Sequence, residues 1–346
     1  MSVRLLSLAT AEPPHALPQE AVAEVARGVF AGRFPGYERM APVFDTTGIR
    51  MRHAVRPIDW YLEPRGWPER TEAYLDGAVD LFCEAAGRAL EEAGLTGAEV
   101  DAIVTVSSTG IATPSLEARA MTRMGFRTDA VRVPVFGLGC AGGASGLALA
   151  SRLAASEPGS VVLFVTVELC SLAFRLDELT KANIVATALF GDGAAACVLR
   201  DGDGGFAEVT GRAENTWPDT LDIMGWKVDP EGLGVIFARA IPPFARAHLR
   251  PAMDAMLASQ NLKVEDVDRF LCHPGGTKVI DALEGALDIG QGGLDIEREV
   301  LANHGNMSAP TVLYVLDAAR RRGLPRRSVV TALGPGFTAS TVTLAA

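Results

Sequence analysis

The stretch Val131–Ala155, VRVPVFGLGCAGGASGLALASRLAA, decides how this chain is read. A β-branched apolar run meets a glycine-rich turn and continues into a run of small residues, so a strand, a tight turn and a helix follow one another. Cys140 stands at the junction. A side chain placed there lies near the N-terminal end of the helix, where unpaired N–H groups and the helix dipole favour negative charge. That favours a thiolate, the form of cysteine that attacks carbonyl carbon. The flanking Gly137, Gly139, Gly142 and Gly143 let the backbone bring an acyl group close to main-chain donors. A buried core cysteine in a strand-to-helix turn would look the same, so this stretch alone leaves both readings open.

Outward from it, apolar patterns of helical and strand period alternate. Upstream they give a first strand at 3–8, a helix at 19–29, a Pro/Trp-rich irregular stretch at 57–68 and a helix at 78–93. A strand at 102–106 follows, ending in SSTGIATPS at 107–115, then a helix at 116–124. Downstream comes a strand at 161–167. This is the pattern of a layered α/β fold. The second half repeats it: Leu95-x4-Val100-Asp101 recurs as Leu262-x4-Val267-Asp268 at an offset of 167, and Ser160-Val161-Val162 as Ser328-Val329-Val330 at 168. Duplication is the simplest account. It divides the chain into an N-terminal half, 1–208, and a C-terminal half, 209–346. The helix after Cys140 is matched by a helix expected at 307–320, so Cys140 falls opposite Asn306 to within one residue. Two copies packed face to face would bring Cys140, Asn306 and His273, which ends the 270–272 strand, to one place.

Cys, His and Asn on three separate turns suit acyl transfer through a thioester. An imidazole can take the thiol proton, and an amide that never titrates can donate to a developing oxyanion or enolate. Each residue also has a plainer role: His273 as a strand-end histidine, Asn306 as a helix N-cap. His304 competes with His273 as the partner of the cysteine. Gly137-Leu-Gly139-Cys-Ala-Gly142 is also, in form, a G-x-G-x-x-G nucleotide-binding turn with Glu168 ending the next strand, but that acid stands about thirty residues on, where about twenty is expected.

Composition narrows the field. The 346 residues carry a net charge of −10 with no long single-sign run, which argues against nucleic acid as partner. The cluster Arg321, Arg322, Arg326, Arg327 reads as a solvated helix end. No apolar segment approaches a membrane span, and the N-terminal MSVRLLSLATAEPPHALPQE has no long apolar core, so a cytoplasmic protein is expected. Five cysteines without a C-x-x-C pair suggest neither a disulfide framework nor a zinc site.

GLGCAGG at 137–143, LFGDGAAA at 189–196, HPGG at 273–276, GNMSAP at 305–310 and LGPGF at 333–337 resemble, in order, motifs of the type III polyketide synthases, the chalcone-synthase-like branch of the thiolase superfamily. The resemblance implies an α/β thiolase fold of two duplicated halves in five α-β-α-β-α layers, working as a homodimer on acyl-CoA and malonyl-CoA, with neither metal nor redox cofactor. It makes Cys140 the nucleophile and gives His273 and Asn306 the malonyl enolate. It places Phe190 and Val235 at gatekeeper positions, Leu333, Gly334, Pro335, Gly336 and Phe337 in the glycine loop, and Thr113, Cys170 and Ala173 on the cavity wall. Arg50 and Arg52 would hold CoA phosphates. Small side chains at the wall leave room for an aliphatic chain, worth about 0.8 kcal/mol per buried CH2. The expectation is a medium- or long-chain fatty acyl starter and an alkylpyrone or alkylresorcinol product. A ketoacyl-carrier-protein synthase making one condensation, and a nucleotide-binding oxidoreductase, are the alternatives.

Overall fold

The computed structural model describes residues 2–346. The first half contains β1 (Val3–Ala11), β2 (His15–Pro18), α1 (Gln19–Phe30), α2 (Tyr37–Met40), α3 (Val43–Thr46), β3 (Met51–Ala54), α4 (Trp67–Glu92), β4 (Ala102–Val106), α5 (Leu116–Met124), β5 (Val131–Val135), α6 (Gly142–Ala154), β6 (Val161–Leu169), α7 (Lys181–Leu189) and β7 (Asp192–Asp201). The second contains β8 (Ala207–Thr216), β9 (Met224–Asp229), β10 (Gly232–Phe237), α8 (Ile241–Ala258), β11 (Arg269–Cys272), α9 (Thr277–Leu287), α10 (Asp295–His304), α11 (Pro310–Arg321), β12 (Arg327–Gly334) and β13 (Thr338–Ala345).

Nine strands form one sheet in the order β11-β12-β13-β8-β1-β7-β6-β4-β5. Read from its centre the order is a mirror: β1 answers β8, β7 answers β13, β6 answers β12 and β4 answers β11. The pairing agrees, since β4 runs parallel to β6 with Ala102 opposite Val162, and β11 parallel to β12 with Arg269 opposite Ser328. Only β5 has no counterpart. The half-sheets join where Arg4 and Leu5 of β1 pair with Glu208 and Ala207 of β8.

Alternation along the buried strands builds the layers. Val162 and Phe164 of β6 and Val330 of β12 face inward onto α6 and α11, where Leu147 and Leu313 complete the central core. Leu163, Val165 and Val167 face outward onto α4 and α5. On the far side, Val329 and Leu333 of β12 meet α8 and α9. Helix α6 is buried almost all round because both half-sheets and α11 enclose it, and its small residues follow from that. A Cβ added at Gly143 would stand 2.3 Å from the Ala309 carbonyl oxygen.

Two expectations need correction. The helix expected at 78–93 begins eleven residues earlier, at Trp67, because Pro68 sits in its first turn, where its fixed φ suits a helix start. The Pro/Trp-rich stretch is thus only partly irregular, and Ile58–Leu62 within it forms a 3-10 turn. The helix expected at 307–320 begins at Pro310, because Asn306–Ala309 is a turn in which Ser308 takes a left-handed φ of 58°. No helix among the described residues is long and apolar enough to cross a membrane.

Candidate active site

Cys140 lies in a single 3-10 turn, Gly139–Ala141, that leads into α6. Ser108 Oγ holds this turn by accepting from the backbone N–H groups of Gly137 and Gly139, at 3.1 and 3.3 Å. Gly139 has a φ of 48°, and a Cβ there would press within 2.7 Å of the Pro335 ring. The Cys140 turn therefore packs directly on the Leu333–Phe337 loop at the end of β12.

His273 follows β11. Its backbone N–H donates to Thr331 at 2.8 Å, it is buried, and neither ring nitrogen has a hydrogen-bond partner. Asn306 is fully buried between the Leu189 carbonyl, which accepts from its N–H at 2.8 Å, and Gly191, whose N–H donates to its carbonyl at 3.0 Å. Its amide Nδ2 donates to the Gly275 carbonyl at 3.2 Å and its Oδ1 accepts from Ser308 N–H at 2.8 Å. Gly275 lies against His273: a Cβ there would be 3.7 Å from Nε2. The Asn306 and Ser308 side chains lie near enough to the Cys140 thiol to offset part of its upward pKa shift. The fold therefore gathers the three residues into one buried place. His304 points elsewhere, toward Glu12 and Tyr314.

The electrostatics correct the thiolate expectation. Burial pushes the Cys140 thiol up to about 11, and the charge of Glu168 adds to it, against hydrogen bonds from Ser308 and Asn306 that pull it down. Burial also pushes the His273 imidazole down to about 3. Both shifts favour the neutral forms, because desolvation opposes the field of the helix end. An ion pair between them forms only by proton transfer from one to the other.

Glu168 does not wait for a ribose. Ser108 N–H donates to both of its oxygens, at 3.1 and 2.9 Å, and the Thr109 hydroxyl donates to one at 2.8 Å. With Gly137 and Gly139 donating to Ser108, the G-x-G-x-x-G turn has those N–H groups committed within the protein, and the nucleotide reading falls.

Cys170, Ala173 and Phe190 line an almost wholly apolar cavity of about 70 Å³, with Leu17, Ile58 and Phe174 behind them. Val235 clusters with Ala173 and Ala186, and Phe190 packs against that cluster. Leu333 and Phe337 turn into the core beside α8 and α9. Thr113 is exposed and is not among the residues that line the apolar cavity. Arg52 is also displaced from its expected role: it is buried, and its guanidinium donates to the carbonyls of Thr187, Ala188 and Phe190, at 2.6, 3.0 and 3.0 Å. It closes the C-terminus of α7 and has no face for a phosphate. Arg50 is exposed and donates to Asn303 Oδ1 at 2.9 Å.

A second cavity of about 550 Å³ reaches Leu189, Gly275 and Gly276, beside His273, and its rim carries Arg39, Lys181, Arg239 and Lys278, all exposed. These four cations were not singled out from sequence. They stand on four separate segments, and only the folded chain assembles them.

Models of the chalcone and stilbene synthases match residues 2–203 for the N-terminal domain and 208–346 for the C-terminal domain. The chain is 39% identical over 345 residues to a 1,3,6,8-tetrahydroxynaphthalene synthase of Streptomyces peucetius subsp. caesius, covering 97% of this chain and 91% of that one. It is 30% identical over 355 residues to type III polyketide synthase 21 of Oryza sativa subsp. japonica, covering 96% and 91%. The crystal structure of a bacterial type III polyketide synthase, the 1,3,6,8-tetrahydroxynaphthalene synthase of Streptomyces coelicolor A3(2), superposes with a TM-score of 0.94 at 28% identity, covering 99% of each chain.

Proposed function

We propose, for a chain that belongs to the chalcone and stilbene synthase family of type III polyketide synthases, that Cys140, His273 and Asn306 carry out its chemistry. The protein is an acyltransferase that condenses malonyl-CoA units iteratively and needs no cofactor beyond its CoA thioesters. One observation carries the assignment of roles: the Asn306 amide donates to the Gly275 carbonyl beside His273, and the same side chain lies near enough to the Cys140 thiol to offset part of its pKa shift.

The acyl-CoA starter enters the larger cavity, its phosphates held at the rim by Arg39, Lys181, Arg239 and Lys278 on an otherwise acidic protein. As the Cys140 sulfur attacks the thioester carbonyl, His273 takes the thiol proton. It returns that proton to the departing CoA sulfur, leaving the acyl group on Cys140. Malonyl-CoA then loses CO2, and the electron pair of the broken C–C bond moves onto the thioester oxygen. The neutral imidazole N–H of His273 and the Asn306 amide donate to that enolate oxygen. The enolate carbon attacks the acyl-Cys140 carbonyl and expels the cysteine sulfur. Burial excludes water that would quench the enolate or hydrolyse the thioester. Residue 208 falls inside β8, so the division is better set in the linker between β7 and β8 than at 208 and 209; it puts the nucleophile in one half and both donors in the other.

The starter is a medium- or long-chain fatty acyl group whose tail enters the apolar cavity behind Cys170 and Ala173, and the product an alkylpyrone or alkylresorcinol. The support is the apolar lining and the absence of bulk at those two residues. A second reading has its own observation: about 70 Å³ is short for a long tail, and a relative is named for a compact polyhydroxylated aromatic, which favours a product built from malonyl units. The working unit is a homodimer, supported by Ile111, Val131 and Phe136, each more than half exposed near the β5 edge. Mass analysis of products from malonyl-CoA alone and with acyl-CoA esters of graded length, without carrier protein, tests this. Absence of any product extended by two or more malonyl units would favour the carrier-dependent single condensation, and Cys140→Ala must abolish extension of the starter. Sedimentation analysis reads the oligomeric state.

A further inference from the structure

Behind the Asn306 turn three segments meet: Glu12 just after β1, His53 in β3 and His304 at the end of α10. Nδ1 of His304 lies 2.6 Å from Oε1 of Glu12, and Nε2 of His53 lies 3.7 Å from Oε2. One ligand atom from each residue falls within 4.8 Å of the other two. The 2.6 Å approach is close enough for an ion pair between His304 and Glu12, while Nδ1 of His53 is buried with no hydrogen-bond partner. An orphaned buried nitrogen beside that pair requires an explanation.

Two imidazoles and a carboxylate are a donor set suited to divalent transition ions. Zinc bonds to N and O at about 2.0–2.1 Å, which in a tetrahedron sets neighbouring donors about 3.3 Å apart. The separations of 2.6 and 3.7 Å, to the two oxygens of Glu12, stand on either side of that value, so side-chain rotations that bring both nitrogens to one carboxylate oxygen close the site. We propose that Glu12, His53 and His304 bind one divalent transition-metal ion of the zinc class, with the fourth position open to water from the polar cleft that His304 and Glu12 share with Thr10 and Asn303. The ion plays no part in condensation. It ties β1, β3 and α10 together two residues before Asn306, where the His304 carbonyl already abuts Gly191, and so steadies the turn that presents the amide. The three residues are far apart in sequence, and no spacing motif announces them.

The test is calorimetric titration of ZnCl2 into the full-length, tag-free protein after chelator stripping and buffer exchange. One ion per chain at micromolar concentration or below is expected, with a rise in melting temperature. His53→Gln, His304→Gln and Glu12→Gln should each weaken binding about tenfold or more, taking the loss for an outer-shell partner as the lower bound. Cobalt(II) in place of zinc should show ligand-field bands without a thiolate-to-cobalt charge-transfer band. No binding below millimolar zinc overturns the proposal, as does a charge-transfer band, which would put the ion on a cysteine. Wild-type affinity in Glu12→Gln also overturns it; that side chain is 38% exposed, so this variant decides even where a histidine variant fails to fold.

Discussion

Asn306 Nδ2 donates a 3.2 Å hydrogen bond to the carbonyl of Gly275, the residue that lies against the His273 ring. The amide is thereby aimed by the same loop that fixes the imidazole. Asn306→Ala should lower malonyl-CoA decarboxylation on the order of 10²–10³-fold, the loss typical of one oxyanion donor. Release of CO2 from labelled malonyl-CoA measures it, with melting curves to confirm that the variant is folded.

The upward shift of the Cys140 thiol has a kinetic signature. With the Cys140 thiol up at about 11, its alkylation by iodoacetamide in the free enzyme should keep accelerating past about pH 9, since only the thiolate reacts. Site-resolved mass spectrometry across a pH series reads this. A plateau already reached near pH 7 would mean a standing ion pair with His273.

Glu168 gives stability its pH slope. Burial raises its carboxyl to about 8, against hydrogen bonds from Ser108 and Thr109. Between the unfolded value near 4.5 and that folded value, the native state holds a proton the unfolded chain has released. The stabilisation is therefore present at low pH and lost as pH rises toward about 8. Burial likewise raises Asp192 to about 6 and Glu297 to about 7, and both act in the same direction. Glu168→Gln should melt close to wild type near pH 5 and above it near pH 9, by calorimetric scans. A difference that shrinks with rising pH would contradict the assignment.

Two glycines separate packing from propensity. Gly143→Ala would drive a methyl to 2.3 Å from the Ala309 oxygen and 2.5 Å from Val312 Cγ1, costing about 1–3 kcal/mol or more of overpacking between α6 and α11. Gly87 in α4 has nothing within 4 Å of the same added atom, so Gly87→Ala should stabilise by about 0.4–1 kcal/mol through helix propensity. Urea unfolding of both variants checks the contrast.

Arg52 and Lys278 carry opposite expectations. Arg52→Met leaves the three carbonyls at the end of α7 without their donor and should lower the melting temperature by several degrees. Lys278→Ala, at the exposed rim, should leave melting unchanged and raise KM for malonyl-CoA, more so at low ionic strength.

Much of this was legible in the chain because strand and helix periods are local. The limits 102–106 and 116–124 are reproduced, and the offset near 167 reappears as the mirrored strand order. What lay hidden depends on depth. Arg50 and Arg52 differ by two positions, yet one is exposed and the other buried against α7, and no composition rule distinguishes them. The position of Cys140 at a helix start was readable. The electrostatics around it were not, since burial, the charge of Glu168 and the opposing effect of Ser308 and Asn306 all come from remote segments.

The two-rung join of β1 to β8 makes one sheet of two copies, with the thiol on one side and its helpers on the other. On the proposed assignment of roles, neither copy can be competent by itself. During refolding, helix and strand signals should return before any turnover does, and a nick in the linker between β7 and β8 should leave activity intact only while the fragments stay associated.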